Sequence, residues 1–125
     1  MNLELIHEDF RGKINRLVKG FKSFPEVTIF ETKAGFCRGG CIHRLSDESV
    51  VVLEGEIVYV TPKGYFNLTR GENFIISKNT PHYFLSRTDS VVLEWGPKEE
   101  EKKEKHADFR RIVDNINHER LTWKQ

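Results

Sequence analysis

Two runs of this 125-residue chain carry side chains that can do chemistry. The first reads Gly35-x5-Cys41-x-His43-x4-Glu48-x6-Gly55, and the second reads Gly71-x5-Ser77-x-Asn79-x2-His82-x3-Ser86. A thiol, two imidazoles and a carboxylate are donor types that hold zinc and other first-row divalent ions, and two imidazoles with one carboxylate make a facial set that leaves coordination positions open. Residues two apart in a strand share a face, so Cys41 and His43 are expected to present a sulfur and an imidazole to one side of a sheet. Glu48 follows a short polar turn and opens the next strand, which brings its carboxylate round to them. His82 starts a later strand and delivers the second imidazole. Taken singly, each residue has a plainer reading: a surface or satisfied core histidine, a solvated turn carboxylate, a cysteine used as a small core hydrophobe. Their joint spacing carries the metal reading. His7, His106 and His118 lie outside both runs and receive no role.

The elements that must position these groups read as β-strands. Short pieces rich in β-branched and aromatic residues cover 27–32, 41–45, 49–53, 56–61, 65–68, 74–77, 82–86 and 91–95, each stopped by Gly, Pro, Asn or Asp. Such spacing predicts an all-β sandwich or barrel. Glu54-Gly55 and Pro62-Lys63-Gly64 read as hairpin loops, because glycine accepts positive φ and proline pre-sets a turn. From Asp108 onward Phe109, Ile112, Val113, Ile116 and Trp123 recur at helical spacing, which predicts an amphipathic helix over about 106–123 packed on the outside of the β-domain or on a second subunit. The mixed-charge block 98–105 reads as a solvated first turn or linker. Over 10–24 the signals conflict: Ile14, Leu17 and Val18 suit a helical turn, whereas Arg11-Gly12 suits a turn into a strand.

Composition bounds the rest. With 38% hydrophobic residues and nine Phe, the chain can fill one core, so 1–125 is read as a single domain with its barrel over about 26–96. Twenty basic against 19 acidic side chains leave a formal charge of +1, which argues against general nucleic-acid binding. The longest aliphatic run, Val50 to Leu53, is far short of the roughly 20 residues a membrane span needs, so no membrane association is expected. The acidic opening lacks the basic and apolar parts of a secretory signal, which points to the cytoplasm. Cys37 and Cys41 would stand about 13 Å apart in an extended strand, so both are expected as free thiols. Motifs for P-loops, dinucleotide folds and nucleophilic triads are absent, which leaves the barrel interior as the candidate site.

Together the two runs resemble the paired motifs of the cupin superfamily, whose first motif carries two His and a Glu between glycines and whose second carries one His. The resemblance implies an all-β, double-stranded β-helix (a jelly-roll barrel) with an N-terminal arm and a C-terminal α-helix. It places His43, Glu48 and His82 at metal-ligand positions and Cys41 where the first histidine normally stands. The implied cofactor is a divalent metal such as Zn, Fe, Mn or Ni, with Cys41 either adding a thiolate or merely packed. Ser77, Asn79 and Ser86 depart from the usual Pro, Gly and Asn; Asn79 tolerates the left-handed conformation that glycine would take.

The segments Asp9-Phe10-Arg11-Gly12-Lys13-Ile14 and Arg38-Gly39-Gly40-Cys41-Ile42-His43 are similar to segments of cupins in sugar-nucleotide and polysaccharide biosynthesis, the epimerases and ketoisomerases. That likeness implies that Arg38 helps hold a nucleotide sugar. The proton-moving histidine of those relatives falls on Cys41, which leaves His43 as the candidate general base. Tyr65, Tyr83 and Phe84 are read as aromatic walls or plain core. The implied function is binding of a divalent metal and action on a small polar molecule, a sugar or sugar nucleotide. A metal-independent nucleotide-sugar isomerase or epimerase, and a non-catalytic carbohydrate-binding module, stand beside it. A homodimer is expected from the way cupins pair through outer strands.

Overall fold

Alternating β-branched and aromatic residues, cut by glycines at positive φ, fold the chain into strands in a computed structural model that describes residues 3–18 and 26–123. In chain order these are β1 (Glu4–Asp9), β2 (Gly12–Val18), β3 (Val27–Thr32), β4 (Cys37–Cys41), β5 (Glu48–Glu54), β6 (Glu56–Thr61), β7 (Gly64–Thr69), β8 (Asn73–Ile76), β9 (His82–Ser86) and β10 (Ser90–Trp95). A short 3-10 turn, Glu99–Lys103, and a helix α1 (Ala107–Trp123) follow. The strands form two antiparallel sheets, one ordered β1-β2-β3-β10-β5-β8 and the other β4-β9-β6-β7. Val50, Val52 and Val92 of the first sheet pack between the layers on Ile57, Tyr59, Leu68 and Phe84 of the second, and all are buried. The expected all-β jelly roll with a C-terminal helix is the fold observed.

The ambiguous N-terminal stretch resolves into strand. The β1–β2 hairpin turns at Phe10 and Arg11, and β2 extends the six-stranded sheet by pairing with β3. The remainder of that stretch, 19–24, lies outside the described residues, as does the side chain of Trp123 in the expected helical stripe.

Two local expectations are corrected. The piece read as a strand over 41–45 lies four residues too late: the strand is β4, and Cys41 is its last residue. Gly39 and Gly40 belong to that strand, with φ of 108° and 79° and a register irregularity between Gly39 and Cys41. A side chain at Gly40 would strike the Arg110 backbone at 2.7 Å, so glycine there is what lets α1 lie close against β4. Glu54-Gly55 is not a hairpin. β5 pairs with β10 and β8 while β6 pairs with β7 and β9, so Gly55 marks the corner where the chain crosses between sheets. The second expected hairpin, at Pro62-Lys63-Gly64, does join two paired strands.

Helix α1 covers the outer face of the four-stranded sheet. Val113 is buried against Cys37, Val58, Val60 and Tyr83, with Phe109 and Ile116 at the edge of the cluster. Asn117 clamps β4 twice, accepting from the Cys37 amide at 2.7 Å and donating to the Cys37 carbonyl at 3.0 Å. Both cysteines are free. No helix among the described residues is long and apolar enough to cross a membrane.

Candidate metal centre

Three side chains meet inside the barrel from three separate places. His43 stands in the loop after β4, Glu48 opens β5 in the opposite sheet, and His82 opens β9. The two loops that carry the histidines are tied together, because the Asn79 amide donates to the His43 carbonyl at 2.7 Å. Asn79 adopts φ 65°, the left-handed conformation its side chain tolerates.

Glu48 Oε2 lies 3.1 Å from His43 Nε2, and Glu48 Oε1 lies 3.4 Å from His82 Nε2. The imidazole centroids are 5.0 Å apart, and one ligand atom from each of the three residues falls within 4.8 Å of the others. All three residues are buried.

The far nitrogens fix the tautomers. His43 Nδ1 is 3.2 Å from the Glu101 carbonyl oxygen, and His82 Nδ1 is 2.9 Å from the Thr80 carbonyl oxygen. A carbonyl oxygen only accepts, so each Nδ1 carries a proton and donates it. In the neutral ring each Nε2 then presents a lone pair toward the same carboxylate. Two lone pairs and two carboxylate oxygens turned on one point suit a cation placed among them, and ligating histidines anchored through the other nitrogen are the usual support of such a site. The donor set therefore fits a divalent ion of the nitrogen- and oxygen-preferring kind.

A fourth buried group stands next to the trio. Glu94 faces inward from β10, directly across from Val50 of β5 and Thr28 of β3. Tyr59 Oη donates to Glu94 Oε1 at 3.3 Å, while Glu94 Oε2 and Glu48 Oε1 have no hydrogen-bond partner among the described residues. The two carboxyl groups titrate in opposite directions. Burial and the adjacent Glu48 charge push Glu94 well above the carboxylate range, so it holds a proton. Burial would also raise Glu48, but its close contacts with the His43 and His82 rings outweigh that and lower it. For His82, burial works against the charged ring and the Glu48 carboxylate overcomes it, for a net upward shift.

Around these groups lies a cavity of about 540 Å³. Of the residues singled out in the sequence, Arg38, Cys41, His43, Glu48, His82 and Phe84 line it. Cys41 stands apart from the trio: it ends β4 rather than sharing a strand with His43, and its sulfur lies 3.9 Å from Lys105 Nζ. Burial, the leading effect, pushes its thiol up, which disfavours the thiolate. Tyr65 and Tyr83 do not reach the cavity. Tyr83 sits between His82 and Phe84, so strand alternation turns it to the outer face, where its ring packs edge-on to Phe109 at 5.4 Å. Tyr65 is 76% exposed, on the strand that edges the four-stranded sheet.

Several site residues escaped the sequence reading. Glu94 and Tyr59 had a readable signal: in β10, Ser90, Val92 and Glu94 share one face, so a carboxylate occupies an inward rung of an apolar strand. Glu101 had none. It belongs to the charged block read as a solvated linker, yet its carbonyl accepts from His43 and its carboxylate accepts from Ser46 Oγ at 2.8 Å and the Leu45 amide at 3.2 Å.

No protein-family model and no curated protein matches the chain. Solved structures do. The chain is similar to the capsular polysaccharide assembling protein CapF from Staphylococcus aureus, with a TM-score of 0.66 and 20% identity over 78% of this chain and 31% of that one. It therefore spans about a third of the length of that relative. KdgF from Halomonas sp. superposes with a TM-score of 0.64 and 16% identity over 78% of this chain and 90% of that one. A sugar phosphate isomerase of the cupin superfamily from Silicibacter pomeroyi gives a TM-score of 0.59 and 23% identity, covering 69% of this chain and 59% of that one. With its two antiparallel sheets and these neighbours, the chain has the cupin fold.

Proposed function

We propose that this chain is a metal-binding cupin that holds one divalent ion on His43, Glu48 and His82 and receives a small polar molecule, a sugar or sugar derivative, in the cavity beside it. The observation that carries this reading is the pair of Nδ1 donations to backbone carbonyls, which leaves both Nε2 atoms turned on one carboxylate. A bound ion would polarise a carbonyl or hydroxyl oxygen of the ligand. The chain's own residues orient and shield: Thr80 and Glu101 hold the imidazoles in place, Glu94 with Tyr59 keeps a proton next to Glu48, and Phe30 and Phe84 exclude water from one wall. The sugar-related neighbours support the ligand class.

His43 as a metal-independent general base has less support, since one ring nitrogen is committed to Glu101 and the other faces Glu48. The test is element analysis of protein purified without chelator. One equivalent of a first-row divalent metal is expected, falling to background in His43→Ala and His82→Ala. Metal-free wild-type protein that takes up no Zn, Mn, Fe or Ni on addition would overturn the reading.

A further inference from the structure

Arg38 is buried in the cavity wall and forms no ion pair among the described residues. Only 2% of the residue is exposed. Its Nε donates to Thr32 Oγ1 at 2.8 Å and its Nη2 to the Glu31 carbonyl at 3.0 Å, and both acceptors are neutral. The guanidinium carbon lies 5.8 Å from the centroid of the Phe30 ring, and Nη1 has no hydrogen-bond partner among the described residues. The nearby Asp9 carboxylate is already engaged by Arg11 at 2.7 Å. Burial, with Arg11's charge adding to it, pulls the Arg38 guanidinium down to about 10, so it remains charged at neutral pH. A buried, charged and half-satisfied guanidinium is costly, and an oxyanion is the partner its planar fork fits. A second cation, Lys105, lines the same cavity and forms no ion pair among the described residues.

Arg38 and the trio line the same cavity from different strands. Arg38 stands opposite Phe84 in the β4–β9 register, and Cys41 stands opposite His82. Their backbone positions are thus opposite residues two apart along β9, roughly 7 Å, and the Phe84 ring lies on the Arg38 side of the cavity wall.

We infer that the cavity takes an anionic monosaccharide, a sugar acid or a sugar phosphate, whose carboxylate or phosphate docks on Arg38 while its hydroxyl or carbonyl oxygens reach the His43, Glu48 and His82 end. The Phe30 and Phe84 rings in the cavity wall suit the C–H side of a sugar ring. The second half of this assignment rests on the metal reading above; the first half rests on Arg38 alone.

Isothermal titration calorimetry with glucuronate, glucose 6-phosphate and glucose tests it, on protein as purified and after chelator treatment. At least one of the two anions is expected to bind ten-fold or more tighter than glucose, and the better of them identifies the anionic group as carboxylate or phosphate. Arg38→Lys, which keeps a positive charge but loses the fork, is expected to weaken that anion at least ten-fold with bound metal unchanged. Glucose binding as well as both anions, no binding of either anion at millimolar concentration, or a folded Arg38→Lys protein with unaltered anion affinity would each overturn the inference. The comparison with glucose uses wild-type protein, so the test survives a variant that does not fold. Anion selectivity in protein that neither contains nor takes up metal would uphold the Arg38 assignment while the metal reading fails; metal without anion selectivity would do the reverse.

Discussion

The same four strands build both ends of the barrel interior, and the ends differ completely in chemistry. At one end β5 contributes Val50 and Val52, β6 Ile57, β9 Phe84 and β10 Val92, all buried in one apolar cluster. At the other, the next inward rungs of those strands are Glu48, Tyr59, His82 and Glu94. Backbone geometry is common to both, because alternation alone decides which residues face in. The difference lies in what each end needs from outside the strands. The apolar end requires nothing but neighbours, at roughly 1.5–3 kcal/mol for each large side chain withdrawn from water. The polar end depends on loop carbonyls from Thr80 and Glu101 to orient its imidazoles, and it still leaves one oxygen each of Glu48 and Glu94 without a hydrogen-bond partner. One end stabilises the fold, and the other is a site that the fold tolerates.

The largest expected effect separates the two ends directly. Ile57→Ala removes a fully buried side chain from the apolar cluster, and a loss of about 2–5 kcal/mol in unfolding free energy is expected by urea titration. Metal content of the folded fraction should stay at the wild-type value. If metal fell in proportion to stability under conditions where the protein is folded, the two ends would not be separable. A smaller effect distinguishes the two carboxyl groups at the polar end. Glu48→Gln removes the charge that both imidazoles face, so metal uptake should be lost, with a destabilisation of about 1–3 kcal/mol in the chelated protein. Glu94→Gln replaces a protonated acid with a neutral amide of the same shape. It should keep its metal and change stability by less than about 1 kcal/mol. Equal metal loss in both variants would mean that Glu94 is a ligand rather than a neighbour.

How far the two ends were legible in the sequence follows from the range of the interactions involved. Strands 27–32, 56–61 and 82–86 are found where alternation and turn residues place them, since both signals are local. The approach of His43, Glu48 and His82 was readable only as joint spacing matched to a family pattern; no single residue announced it. What was missed depended on partners distant in the chain. The strand read over 41–45 begins at Cys37 instead, and its Gly39-Gly40 pair makes sense only once α1, some 70 residues later, is seen to press on β4. Glu54-Gly55 has the chemistry of a hairpin, and only the pairing of β5 with β10 and β8 makes it a corner between sheets. Glu101 sits in a run of like residues that says nothing about a histidine 58 positions away. Glu94 is the exception: its inward rung was there to be read.

The smallest predicted effect lies at the opposite rim, level with Ser90 rather than Glu94, and carries a sign that pH can test. Asp9, at the end of β1, accepts from the Arg11 amide and from the Arg11 guanidinium, which in turn donates to the Cys37 carbonyl at 3.2 Å and so ties the N-terminal hairpin to β4. Burial pushes the Asp9 carboxyl up, but the Arg11 hydrogen bonds outweigh it and hold the group below the usual carboxylate range. A carboxyl whose folded value is depressed stabilises the fold at pH above its unfolded value, near 3.9, and that contribution is lost as pH falls through the folded value. Asp9→Asn should therefore be less stable than wild type at pH 7, by under about 1 kcal/mol for a partly exposed pair, with the gap closing below about pH 4. Thermal unfolding of both proteins from pH 3 to pH 8 checks the direction. A gap that instead widened toward acid would show that the hairpin is held by its strand pairing with β3, and that the ion pair between Asp9 and Arg11 adds nothing to the rim.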